Sequence, residues 1–135
     1  METSIKASLI LAILVLASIS MTKASARIHV RIFNKVPDKA TLVVHCKSKD
    51  DDLGVQYIPY GGLFEWTFNL NHNEFFVTTL FFCGYHWHEK KVMGDAFDAD
   101  RDLDRCGQFC DWTADAMGVH GTNDRGEIDY IYPWK

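Results

Sequence analysis

From residue 27 onward, apolar and polar residues alternate in short runs. In "RIHVRIF", Ile28, Val30 and Ile32 share one phase, while His29 and Arg31 take the other. "TLVVHC" groups Leu42, Val44 and Cys46, and "FEWTFNL" sets Phe64, Trp66, Phe68 and Leu70 against Glu65, Thr67 and Asn69. "VTTLFFCGYHWH" aligns Phe81, Cys83, Tyr85 and Trp87 opposite Leu80, Phe82, His86 and His88. Period-two alternation of β-branched and aromatic residues marks strands covered by a core on one face. Later segments around "FCDWTADAMGVHG" and "GEIDYIYPW" alternate less sharply but stay aromatic. Turn-forming stretches ("NKVPDKA", "KSKDDDLG", "NLNHN", "GTNDRG" and Gly61-Gly62) separate the runs. Short strands broken this often predict an all-β fold, a small antiparallel β-sandwich of immunoglobulin-like type. Trp66, Trp87 and Trp112 fall in the buried phase and are expected as core fillers, with Tyr85 and Tyr130 adding bulk.

The first 26 residues do not fit this pattern. "ASLILAILVLASIS" carries no charge, yet it is too short and too near the amino terminus for a membrane span. The small-x-small triplet Ala24-Ser25-Ala26 follows it. Together they predict a secretory signal peptide over 1–26 and one domain over 27–135, secreted, extracellular and not inserted in a membrane. A domain of that size buries about two-thirds of its unfolded surface and benefits from crosslinks. The net charge of −4 argues against nucleic acid as a partner, since phosphates demand clustered Lys and Arg.

All four cysteines, Cys46, Cys83, Cys106 and Cys110, lie beyond the leader. In a secreted chain they predict two disulfides. Three pairings are open. A Cys106–Cys110 bridge closes a tiny loop, whereas a Cys46–Cys110 loop removes roughly 4 kcal/mol of unfolded-state entropy. That reasoning favours Cys46–Cys110 with Cys83–Cys106, joining the two sheets across the core. A zinc site at Cys106 and Cys110 lacks a second ligand pair at matching spacing.

Candidate chemistry is sparse. In "HCKSKDDDLG", the side chains of Asp50, Asp51 and Asp52 point to alternate sides of an extended backbone. Lys47 and Lys49 compete with any bound cation, so the stretch reads as a solvated turn ending at Gly54. "DAFDADRDLD" spaces Asp98, Asp100, Asp102 and Asp104 at alternate positions. It lacks the glycine and glutamate of a calcium loop, and reads as a polar loop after a strand. His86 and His88 share a face if the strand continues through them, but no third ligand is evident. Glu74 and Glu89 each neighbour a histidine, although adjacency on a strand sends the two side chains to opposite faces. No serine sits in a nucleophile elbow. The expectation is therefore no catalytic residue, no metal and no cofactor. A secreted hydrolase or toxin-like effector using Glu74 or Glu89, and a glycan-binding wall module, are the alternatives.

The ordered set "RIFNKV", "LVVHCKSKDDDLG", "GGLFEWTF", "TTLFFCGYHW", "FDADRD" and "CGQFCDW" resembles the plant self-incompatibility S-protein homologues across the whole of 27–135. The resemblance implies a small secreted β-sandwich, bridged at Cys46, Cys83, Cys106 and Cys110, with Trp66 and Trp112 in its core. It also implies a protein without catalytic activity, a ligand for a cell-surface receptor protein in pollen rejection. Partner choice is expected in surface loops, with Lys47, Lys49, Asp50, Asp51 and Asp52 as candidate binding residues. A monomer is expected.

Overall fold

The computed structural model describes residues 27–70 and 79–135. The leader expected over 1–26 lies outside the described residues, as do His72 and Glu74. Among the described residues, β1 (Arg27–Asn34), β4 (Leu63–Asn69), β7 (Phe109–Ala114), β8 (Gly118–Thr122) and β9 (Ile128–Pro133) form one sheet. Its order is β4-β1-β7-β8-β9. The second sheet comprises β2 (Leu42–Lys47), β3 (Asp52–Ile58), β5 (Leu80–Trp87) and β6 (Lys90–Asp98), ordered β3-β2-β5-β6. Neighbouring strands run antiparallel except β1 and β7, which are parallel. The sandwich is as expected, and the immunoglobulin likeness is one of layered architecture.

The alternation places the core. Ile28, Val30 and Ile32 from β1 face Leu42, Val44 and Cys46 from β2, and all six are buried. Phe81, Cys83, Tyr85 and Trp87 supply the inner face of β5. Trp66, Trp87 and Trp112 are buried as expected. Phe68 on β4 reaches across to Phe81 and Phe97, with ring centroids 5.0 Å away in each case. Trp112 Nε1 donates to Ala96 O at 2.8 Å, so this tryptophan joins the sheets by a hydrogen bond as well as by packing. At one corner, Lys91 and Lys135 exchange backbone hydrogen bonds of 3.3 and 2.9 Å. Tyr130 corrects the expectation: it is 39% exposed and lies over two arginines rather than in the core.

The disulfides join Cys46 to Cys83 and Cys106 to Cys110, correcting the expected pairing. Cys46 and Cys83 are direct register partners on β2 and β5, with Cα atoms 4.0 Å apart. Cys106 and Cys110 are brought together by the bend leading into β7. Loop entropy ranks crosslinks by what they remove from the unfolded chain, whereas partners are chosen by which thiols the fold places side by side. Neither bridge spans the two sheets.

Candidate functional site

The Lys47–Gly54 stretch forms a tight hairpin. The turn occupies Ser48–Asp51, and β3 begins at Asp52, two residues before the expected end. Ser48 N donates to Asp51 O at 2.7 Å, and Asp51 N donates to Ser48 Oγ at 3.1 Å. Gly54 lies inside β3 with φ +76°, a left-handed value suited to glycine, where the pairing with β2 shifts register. Its N–H donates to Asp52 Oδ1 at 2.9 Å, and His45 Nε2 pairs with the same oxygen at 2.7 Å. The Gly54 N–H, then His45, hold the Asp52 carboxyl below its ordinary range. Asp52 is thus a brace for the hairpin, while Lys47, Lys49, Asp50 and Asp51 are free to meet solvent or a partner, apart from backbone bonds.

"DAFDADRDLD" is not a polar loop, and this is a third correction. Asp98 caps a single helical turn, α1 (Ala99–Asp102), by accepting from Asp100 N at 3.1 Å. Asp102 is fully buried. It accepts from Arg101 Nε at 2.7 Å and Nη2 at 2.8 Å, from Arg105 Nε at 2.7 Å, and from Asp98 N at 2.8 Å. Burial pushes the carboxyl up, but the Arg101, Arg105 and Asp98 hydrogen bonds outweigh it and hold the group below the usual carboxylate range. Arg101 continues to Tyr132 Oη at 2.9 Å, and Arg105 to Asp129 Oδ1 at 2.8 Å. Both guanidiniums lie over the Trp112 and Tyr130 rings. Of the aspartates that alternate in sequence, Asp102 is the centre of a packed knot between the sheets, Asp98 caps the turn that carries it, and Asp100 and Asp104 stay exposed.

The candidate histidines are scattered. His86 is exposed on the outer face of β5, and His88 leaves the strand with φ +48° in the turn that also holds Glu89. The two do not continue along one strand face. Among the described residues no three His, Cys, Asp or Glu side chains converge as metal ligands. Sequence reasoning missed the pairing of His29 Nδ1 with Glu65 Oε1 at 2.7 Å and of Arg31 with Asp111 at 2.6 and 2.7 Å on the outer face of the five-stranded sheet. The hydrogen bond to Asp111 raises the Arg31 pKa. Alternation put these side chains on the outer face but gave no strand neighbours, which only the register supplies.

The sandwich end reached by β1 carries the other missed feature. Asn34, in phase with Ile28, Val30 and Ile32, is fully buried. Its Nδ2 donates to Ala40 O and Ile58 O, both at 2.9 Å, and its Oδ1 accepts from Val36 N at 3.0 Å. Between these anchors, Asp38 and Lys39 take left-handed φ values of 61° and 51°. Each such residue costs roughly 1–2 kcal/mol, which the Asn34 bonds and the buried Val36 side chain offset. A polar residue at a buried strand position was the available signal.

Comparison with known proteins follows the same outline. Residues 29–134 match the family described as plant self-incompatibility protein S1. S-protein homolog 29 of Arabidopsis thaliana is 33% identical over 99% of this chain and 99% of its own length. Self-incompatibility protein S1 of Papaver rhoeas is 33% identical over 89% of this chain and 88% of its own. A solved structure, from work on self-incompatibility protein homologues as a widespread family of small, highly stable, secreted plant proteins, superposes with a TM-score of 0.64. It covers 83% of this chain and 97% of its own at 19% identity, a likeness of fold. On the family match and these identities, the chain belongs to the plant self-incompatibility protein S1 family.

Proposed function

We propose that the chain is a secreted, non-enzymatic ligand that a cell-surface receptor reads through the loops of the sandwich, in recognition of the self-incompatibility type. The observation that carries this reading is the Lys47–Gly54 hairpin, whose charges stand on a turn already fixed by its own hydrogen bonds. A loop ordered before docking loses less entropy when it binds. Secretion is supported by the signal-like segment over 1–26, by the two disulfides, and by the secreted character given for the structural relative's family. Removal of 1–26 leaves a monomeric domain over 27–135 in this reading.

The test applies the labelled protein, purified as secreted from the full chain, to pollen and other plant cells. Saturable binding, competed by unlabelled protein and weakened by Lys47→Glu with Lys49→Glu, supports the proposal. Absence of saturable binding on every tissue that expresses the protein counts against it. A reproducible turnover of RNA, glycan or peptide, lost in His29→Ala, favours an enzyme built on the His29–Glu65 pair.

A further inference from the structure

The end of the sandwich gripped by Asn34 holds an open depression of about 490 Å³. Lys35, Val36, Lys39, Tyr60 and Met117 line it, together with the carboxylates of Asp38 and Asp115. Its floor is the buried Val36, and its rim includes Tyr60 at 49% and Met117 at 68% exposure. Large apolar side chains held this far into water mark a surface suited to a partner. We propose that this depression binds an acidic peptide segment of a partner protein, taking one apolar side chain between Tyr60 and Met117 and neighbouring carboxylates at Lys35 and Lys39. The proposal rests on the ligand reading above and names its partner chemistry.

Three independent observations support it. The consecutive left-handed residues Asp38 and Lys39 are locked by the Asn34 hydrogen bonds, so Lys39 is presented from a backbone shape that the surrounding structure imposes. Strain kept in this way concentrates at functional sites. Charge is also segregated. This end carries Lys35, Lys39, Lys90, Lys91 and Lys135 against Asp38, Glu89 and Asp115, and Asp115 is already paired with His120 Nε2 at 2.7 Å. The opposite end carries Asp50, Asp51, Asp98, Asp100, Asp104, Asp124 and Glu127 against Lys47, Lys49 and Arg125, a net acidic balance, so an acidic partner is steered to the lysine end and away from the other. Finally, between its charged rim residues the lining offers a flexible thioether and aliphatic carbon but no side-chain amide, and both Asp115 oxygens are already engaged by His120 Nε2 and Met117 N. That suits a hydrophobic side chain better than the hydroxyls of a sugar.

The probe is a fluorescein-labelled peptide with one leucine between two pairs of glutamates, read by anisotropy against the secreted protein. A peptide with lysines in place of the glutamates and a tetragalacturonate serve as comparisons. The acidic peptide binds, the lysine peptide does not, and binding weakens as salt rises. Lys35→Glu with Lys39→Glu, or Met117→Asp, lowers affinity at least tenfold, whereas Arg125→Glu, at the opposite end of the sandwich, leaves it unchanged. All these positions are exposed, and an unchanged circular dichroism spectrum verifies the fold. Equal binding of both peptides, preferential capture of tetragalacturonate, or loss on the Arg125 substitution in place of Lys35/Lys39 overturns the site. Saturable cell binding unaffected by the Lys35 and Lys39 substitutions overturns it too, while leaving the ligand reading standing. Specific peptide capture without any cell binding does the reverse.

Discussion

Asp102→Asn isolates the knot that ties α1 to both sheets. The substitution keeps the shape of the side chain but removes its charge and turns one acceptor oxygen into a donor. Asp102 receives four hydrogen bonds, three from guanidinium groups, and has no exposed surface. Removing one partner of a buried ion pair costs about 3–5 kcal/mol, because the remaining charge is left uncompensated. Arg105 keeps Asp129, and Arg101 keeps Tyr132 Oη and Asp95 O, which favours the lower end, about 3 kcal/mol. For a domain of this size the melting temperature then falls by on the order of 12–24 °C. The pH dependence has a definite sign. The Asp102 carboxyl is depressed in the folded state, so its contribution is present above the unfolded carboxylate pKa of about 3.9 and is lost as pH falls through the folded value. Urea melts should show a constant gap between wild type and Asp102→Asn from neutral pH to about pH 5, narrowing below about pH 4. A loss under about 1 kcal/mol at neutral pH, or a gap that persists undiminished in acid, refutes the reasoning.

Three further outcomes are expected. Peptide mapping under non-reducing conditions should recover Cys46 with Cys83 and Cys106 with Cys110, and replacing the first pair by alanine should cost about 4 kcal/mol against about 2 kcal/mol for the second, following loop length. Gly94→Ala puts a Cβ 2.5 Å from the Tyr132 ring and should destabilise by about 1–3 kcal/mol in thermal melts. The same change at Gly84, where a Cβ meets nothing within 4 Å, should stay within about 0.5 kcal/mol. Asn34→Ala leaves Ala40 O, Ile58 O and Val36 N without their partner, and should cost about 2–3 kcal/mol and raise deuterium uptake near residues 36–40 and 58–62.

Strand phase was readable because burial repeats every second residue: Ile28, Val30, Ile32, Cys83, Tyr85 and Trp87 all point inward as the alternation requires. Partnership was not readable. Which strand lies beside β1, or which thiol faces Cys46, depends on contacts far apart in sequence, and the parallel β1–β7 pair brings together residues about 80 positions apart. The same gap explains the errors in acidic stretches. Asp98, Asp100, Asp102 and Asp104 look equivalent in sequence, but one helical turn breaks the strand period and sends Asp102 inward while Asp104 stays exposed. Asn34 was read with the turn-forming stretch "NKVPDKA", whereas β1 runs through it and buries it, because a polar side chain can close a strand's inner face when it is fully hydrogen-bonded.

The location of the disulfides bears on how the loops are held. Cys46–Cys83 crosslinks two strands of one sheet, and Cys106–Cys110 closes a local bend, so neither bridge clamps layer to layer. That work falls to the aromatic contacts of Phe68 with Phe81 and Phe97, to the Trp112–Ala96 hydrogen bond, to the Asp102 knot and to the Lys91–Lys135 backbone pair. All four of these ties involve β6 directly, through Phe97, Ala96, Asp98 and Lys91. The Asn34 grip lies at the other side of the sandwich, binding β1 to the end of β3 through Ile58 O. Inter-sheet cohesion therefore rests on interior side chains and one backbone pair at a corner. The exposed residues of the Ser48–Asp51 turn and of the Lys35–Lys39 rim contribute none of it. A scaffold fixed from within leaves those side chains free to change with the partner they meet, which is what a recognition protein of constant fold requires.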